Sequence, residues 1–179
     1  MIIAISGFHG TGKSTVGKLV AESLGIKYYS TGQAFRDLAN KKKMSLEEFT
    51  KYVEDHPEID KELDNRILDK AKEGDILIDS QLSGHILNAI ADFKVHLICS
   101  IDSRVKRMME RDKSSFIEKL NETKLREKSE LDRFYKLYNI DLSDKDTINE
   151  LHDMVINTEN LTIEEVVEKI ISKIKKVKQ

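Results

Sequence analysis

The chain has 179 residues, 39% hydrophobic and 35% charged, which suits a single domain with an apolar core. Its 30 Lys and Arg against 32 Asp and Glu give a net charge of −2, which argues against polymeric nucleic acid or an acidic membrane as partner and leaves only a local basic site open. Its single cysteine, Cys99, excludes a disulfide within the chain and points to a reducing cytoplasm.

The charged share exceeds the usual quarter. The excess of Lys, Glu and Asp with abundant Ile fits heat adaptation and fits nucleotide bias in a genome equally well. The opening apolar run is five residues with no basic stretch before it, so no signal peptide is expected, and no segment approaches membrane-spanning length.

Short β-rich runs alternate with longer helical patterns. The predicted strands are IIAIS (2–6), KYYS (27–30), DILIDS (75–80), KVHLIC (94–99) and DMVINT (153–158). Several are apolar almost throughout, as buried parallel strands are. Helical period appears over 13–24, 32–43, 45–55, 59–72, 103–112 and 162–177. The alternation predicts an α/β fold, a parallel sheet with helices on both faces. Two regions exceed one helix per crossover: 31–73, with three helical segments, and 113–150, with a long charged helix opened by a Ser115/Glu118 capping box and followed by an acidic turn. Both read as inserts at the carboxyl ends of strands, where ligands bind in open α/β sheets.

The first strand runs into SGFHGTGKST (6–15), in which Gly7, Gly12, Lys13 and Ser14 spell G-x-x-x-x-G-K-S between a strand and a helix. Glycines let successive N–H groups turn inward on one anion, and the following helix presents its positive end to the same place. Gly7, Phe8, His9, Gly10, Thr11, Gly12 and Lys13 form the loop. Lys13 suits the β- and γ-phosphates, Ser14 is a ligand for Mg²⁺, and Thr15 lies near the α-phosphate. His9 either touches a phosphate or faces solvent. Asp79, at the end of ILID, is the carboxylate placed to help hold the metal.

Arginine forks suit the charge of a transferring phosphoryl group. Arg104, Arg107 and Arg111 stand at i, i+3 and i+7, and Arg126, Glu130 and Arg133 share a helix face at i, i+4 and i+7. Periodicity alone fits a surface ladder of ion pairs as well. Arg36, one turn into the helix after YST (29–31), is a candidate clamp for a second phosphate, with Thr31 or Ser30 as helix cap. His96 reads as a satisfied core residue, Cys99 as core packing, and His56, His85, His96 and His152 show no metal-ligand spacing.

Gly7–Thr15, YSTGQAFR (29–36), PEIDKELD (57–64), LREKSELDRFYKLYNID (125–141) and VINT (155–158) together resemble the archaeal-type cytidylate kinases over nearly the whole chain. The resemblance implies a P-loop core (1–30, 74–112, 151–179) with a three-layer α/β/α arrangement and a five-stranded parallel sheet in order 2-3-1-4-5. It further implies a monophosphate-binding insert (31–73), a helical lid (113–150), and transfer of the ATP γ-phosphoryl group to CMP or dCMP by a monomer. Carried onto this chain, it sets Arg36 and Thr31 on the monophosphate, Arg107 against adenine, and Arg111 near the ATP phosphates. Arg126 and Arg133 become lid arginines oriented by Glu130. The chain departs from related kinases after its third strand, where IDSQLSG puts Ser80 and Gln81 in place of a D/E-G-R motif. Gln81 is then a neutral contact to the acceptor. Asp60 is a candidate acceptor for the cytosine amino group, and alternatively a helix-capping aspartate. Rival readings are a kinase for another small acceptor (another nucleotide, shikimate or a coenzyme precursor) and a nucleotide-dependent switch. No N-K-x-D guanine reader occurs.

Overall fold

The computed structural model describes residues 1–177. Strand β1 (Ile2–Ser6) is central. It pairs in parallel with β3 (Ile76–Asp79) and β4 (Phe93–Ile98). Strand β2 (Lys27–Ser30) adds to β3 and β5 (Met154–Asn157) to β4, so the order is β2-β3-β1-β4-β5. The five runs read as strands are the five strands, in the order implied by the resemblance.

Side chains alternate across a strand. Ile3 and Ile5 pack with Leu77, Val95 and Leu97 under α1 (Lys13–Leu24) and α9 (Ile163–Val177). Ala4, Ile76 and Ile78 face the other way, toward Ile67 and Ala71 of α4 (Pro57–Lys72). Both faces are covered, which explains strands that are apolar almost throughout. Ile3 and Ile5 are almost wholly buried, each worth on the order of 1.5–3 kcal/mol of transfer free energy.

Local signals set the helix ends. Helix α1 stops at Gly25, whose φ of 65° is left-handed. Helices α3 (Leu46–Glu54) and α7 (Phe116–Tyr138) open with capping boxes, Ser45 with Glu48 and Ser115 with Glu118. Helix α4 starts at Pro57, two residues before the predicted start, because proline suits a first turn where its missing N–H is not needed. Helix α6 (Ile101–Asp112) also starts two residues early, because Ser100 caps it by accepting from the Ser103 amide. Two short helices escaped prediction: α5 (Ser83–Ile86), and α8 (Lys145–Leu151) where only an acidic turn was expected. The Asp144 side chain caps α8.

Helix α2 (Thr31–Lys41), α3 and α4 enclose a small core of Phe35, Ala39, Phe49, Val53 and Leu63. Helix α4 gives Leu63 to that core and Ile67 and Ala71 to the sheet, so one helix anchors the helical segment to the sheet. Helix α7 packs across α3 and α6. A buried fork from Arg104 to Glu127 holds it to α6.

Candidate active site

Strands β1, β2 and β3 end at one level, with Ile5 and Ser30 both in register with Asp79. The loop that leaves β1 is pressed against the ends of β4 and α6. A Cβ on Gly7 (φ 136°) would lie 2.3 Å from the Leu97 carbonyl oxygen, and one on Gly10 (φ 78°) 2.7 Å from that of Arg104. Only glycine fits both the backbone angles and the space. Helix α1 has no side-chain cap, so its first N–H groups remain for an anion.

The loop borders a cavity of about 480 Å³, and every residue singled out above as a site candidate lines it except Gly7, Phe8 and Arg104. Gly7 shapes the backbone. The Phe8 ring joins an apolar cluster with Leu82, Phe134 and Leu142, and its carbonyl accepts from Lys13 Nζ and Thr11 Oγ1, each at 2.9 Å. Burial lowers the pKa of Lys13, while Asp79 and Glu130 oppose that shift.

Asp79 Oδ2 accepts from three hydroxyls: Ser14 at 2.6 Å, Tyr28 at 2.8 Å and Ser30 at 3.2 Å. Burial, then Asp79, pushes the Tyr28 phenol up, which keeps it a donor. The Ser14 hydroxyl beside the Asp79 carboxylate is a pair of hard oxygen donors at the mouth of the phosphate loop. That chemistry fits Mg²⁺, which takes few protein ligands and completes its shell with phosphate and water. Tyr28 lay outside the sequence reading and Ser30 was read only as a helix cap, although alternation along β2 puts both on the face that meets Asp79.

The arginines divide. Arg104 is structural: buried, forked onto Glu127, and donating to the His9 carbonyl at 2.9 Å. Arg107 donates to Thr158 Oγ1 at 3.0 Å and to Thr158 O at 2.7 Å, while Thr158 Oγ1 donates to Thr11 O at 3.1 Å. Thr158 therefore links α6 to the phosphate loop, a role its place at the end of VINT did not reveal. Arg36 is held by Gln33 Oε1 at 2.9 Å. Burial lowers its pKa, and the positive charges of Arg111 and Arg126 lower it further. Arg36, Arg111 and Arg126 thus repel one another in a cavity that Arg107 and Arg133 also line. Among the described residues Arg111 pairs only with its exposed neighbour Asp112, at 2.6 Å.

Glu130 gathers groups from three elements. Its Oε2 accepts from His9 and from Gln81, each at 2.7 Å, and its Oε1 from Arg126 at 3.0 Å. Burial raises its pKa, but the positive charge of Arg126 and these donors reverse that, so Glu130 is ionised. His9 is not the solvent-facing residue that was one of its readings: it is packed against Glu130, and burial lowers its pKa. Gln81 turns its amide to Glu130. Glu130 orients Arg126 but not Arg133, as had been expected for both. Arg133 instead donates from Nε to Asp60 Oδ2 at 2.7 Å, with both side chains buried. Asp60 does not cap α4, whose N-cap is His56. Ser30, not Thr31, caps α2, accepting from the Gln33 amide at 3.3 Å.

His96 is buried, but among the described residues neither of its ring nitrogens has a partner, which corrects its reading as a satisfied core residue. Its ring lies 4.8 Å from that of His152. Among the described residues no three His, Cys, Asp or Glu side chains are placed to share a metal ion. Cys99 is half-buried and donates from Sγ to Glu159 Oε2 at 3.2 Å.

A parallel sheet in this order, a glycine loop feeding an uncapped helix, and Lys13 beside converging arginines define a P-loop phosphotransferase. A family model described as an AAA domain matches residues 3–130. A cytidylate kinase of Sulfurisphaera tokodaii is 44% identical over 167 residues, covering 93% of this chain and 91% of that protein. One of Archaeoglobus fulgidus is 40% identical over 181 residues, covering 99% and 98%. The chain belongs to the cytidylate kinase family. Among solved structures, a shikimate kinase from Bacteroides thetaiotaomicron aligns with a TM-score of 0.66 at 14% identity over 98% of both chains, a likeness of fold alone. No helix among the described residues is long and apolar enough to cross a membrane.

Proposed function

We propose that the protein transfers the γ-phosphoryl group of ATP to CMP or dCMP, giving ADP and CDP or dCDP, as a monomer in a reducing cytoplasm. The observation that carries this is the convergence of Arg36, Arg111 and Arg126 on the cavity that also holds Lys13. A nucleotide-dependent hydrolase needs cations for one polyphosphate. Mutually repelling guanidiniums beyond the phosphate loop call for a second anion.

In this reading residues 7–15 hold the ATP phosphates, and Arg107 and Thr158 mark the adenine side. Residues 31–73 receive the monophosphate, with Arg36 and Thr31 on its phosphate. Residues 113–150 act as a lid, and Glu130 sets the angle at which Arg126 meets the transferring group. Mg²⁺ held by Ser14 and Asp79 would neutralise charge on the β- and γ-phosphates. Lys13 and the arginines balance the charge on the equatorial oxygens, and alignment does the rest without a covalent intermediate. The Phe8–Leu82–Phe134–Leu142 cluster beneath α7 walls the cavity against water, so transfer goes to the acceptor.

The test is product formation from ATP with CMP, dCMP, UMP, AMP, GMP and shikimate in parallel. Efficient turnover with CMP or dCMP supports the reading; preference for any of the others replaces it.

A further inference from the structure

Cytosine and uracil differ at position 4, an amino group against a carbonyl oxygen, and the sequence had put their discrimination on Asp60. Asp60 Oδ2 accepts from Arg133, so its charge is already met by a cation. One helical turn further along α4, Asp64 lines the same cavity. Its one hydrogen-bond partner among the described residues is Tyr138, whose hydroxyl donates to Oδ2 at 2.6 Å. No Lys, Arg or His among them forms an ion pair with it, and Asp60 adds like charge nearby. Burial raises the Asp64 pKa to about 6. Above that pH it is an ionised, sheltered carboxylate with one oxygen supplied with a donor and, among the described residues, none on the other. Phe35, Leu63 and Phe134 line this cavity too and offer apolar walls for a flat ring. A sheltered carboxylate with no cation is expensive, and a donor brought by the ligand relieves it.

Resting on the acceptor chemistry proposed above, we propose that Asp64 selects the base: its free carboxylate oxygen accepts a hydrogen bond from the exocyclic 4-amino group of cytosine, and Tyr138 fixes the carboxylate. Uracil sets a carbonyl oxygen against that carboxylate, lone pair to lone pair. Sites built around a hydrogen-bonding group reject analogues that lack it far more strongly than apolar pockets reject size changes.

The experiment compares kcat/KM for CMP, UMP and the monophosphate of the pyrimidin-2-one riboside, which lacks the 4-amino group, in wild type and Asp64→Asn. In wild type, loss of the amino group lowers kcat/KM at least tenfold. Asp64→Asn turns its amide N–H₂ to the base, so the CMP to UMP ratio falls at least tenfold while KM for ATP stays within twofold. The ranking of the pyrimidinone against CMP is lost as well. An unchanged CMP to UMP ratio in the variant, or equal losses on both acceptors, overturns the assignment and leaves CMP kinase activity standing. Should Asp64→Asn not fold, the pyrimidinone arm needs no variant, and a wild type that uses it as well as CMP overturns the assignment alone. A wild type that phosphorylates UMP as readily as CMP removes the acceptor reading itself.

Discussion

Arg133 donates from Nε to Asp60 Oδ2 at 2.7 Å, a buried ion pair that ties α7 to α4. Its Nη1 also donates to Ser129 Oγ at 2.7 Å on its own helix. The pair joins the helix expected to act as a lid to the helix expected to hold the acceptor. Removing one partner leaves the other charge buried and alone, which costs about 3–5 kcal/mol. Arg133→Met is expected to lower the urea-unfolding free energy by about that much. The double variant Asp60→Asn with Arg133→Met should recover a large part of the loss, because no charge is then stranded. Additive losses in this cycle contradict the pair's assigned role.

Lys13 stands apart from that scaffold. Among the described residues its ammonium donates to the Phe8 carbonyl alone, and burial already lowers its pKa. Lys13→Ala therefore removes a sheltered charge without opening an ion pair. It should abolish turnover, by at least a hundredfold in kcat, and leave the melting temperature unchanged or higher. Near-normal release of ADP with CMP present contradicts the role given to Lys13.

The pair Ser14 and Asp79 sets the metal requirement. Ser14→Ala removes a hydroxyl ligand and leaves Asp79 with two of its three hydroxyl donors. The Mg²⁺ concentration for half-maximal rate should rise about tenfold, within the range expected for loss of a group that supports a metal. A chelator should stop transfer in wild type, and excess Mg²⁺ should restore it. An unchanged Mg²⁺ dependence in Ser14→Ala contradicts the assignment.

The buried imidazoles shape acid stability. Burial, then His152, lowers the pKa of His96 to about 3 and of His85 to about 4. Lys13 pushes His96 further down, and Lys94 and Asp153 act in opposite senses on His152. Folding thus favours the neutral rings. Their contribution is present above the unfolded-state pKa near 6.5 and is lost as pH falls from there toward 3. Each ring adds up to about 1.4 kcal/mol of destabilisation per pH unit in that window. His96→Phe removes one titrating imidazole and its two unpartnered nitrogens, so it should flatten the decline between pH 6.5 and 4.5 without loss of stability at pH 7.5. Urea midpoints across that range check both; a slope equal to wild type contradicts the protonation account.

Most of the fold was legible because its parts are local. Apolar runs, Ser-x-x-Glu boxes and the glycine loop each declare themselves within ten residues, and the strand order came with the resemblance. The phosphate end of the cavity was legible for the same reason. The partnerships were not. Spacing put Arg126, Glu130 and Arg133 on one face, but only the approach of α7 to α4 gives Arg133 to Asp60, and its approach to the phosphate loop and the turn after β3 gives Glu130 to His9 and Gln81. Arg104 and Arg107 look equivalent in sequence; one is locked to Glu127 of α7 and the other to Thr158 after β5, partners that only the tertiary packing brings to α6. The α8 turn was read as acidic loop because seven residues carry too little periodicity to show a helix.

The most direct measurement is the stoichiometry of product formation when ATP and Mg²⁺ are mixed with CMP. ADP and CDP should appear one to one, with ADP release falling to near zero when CMP is left out. ADP formed at the same rate without CMP, or without matching CDP, contradicts phosphoryl transfer and leaves a hydrolase or a switch in its place.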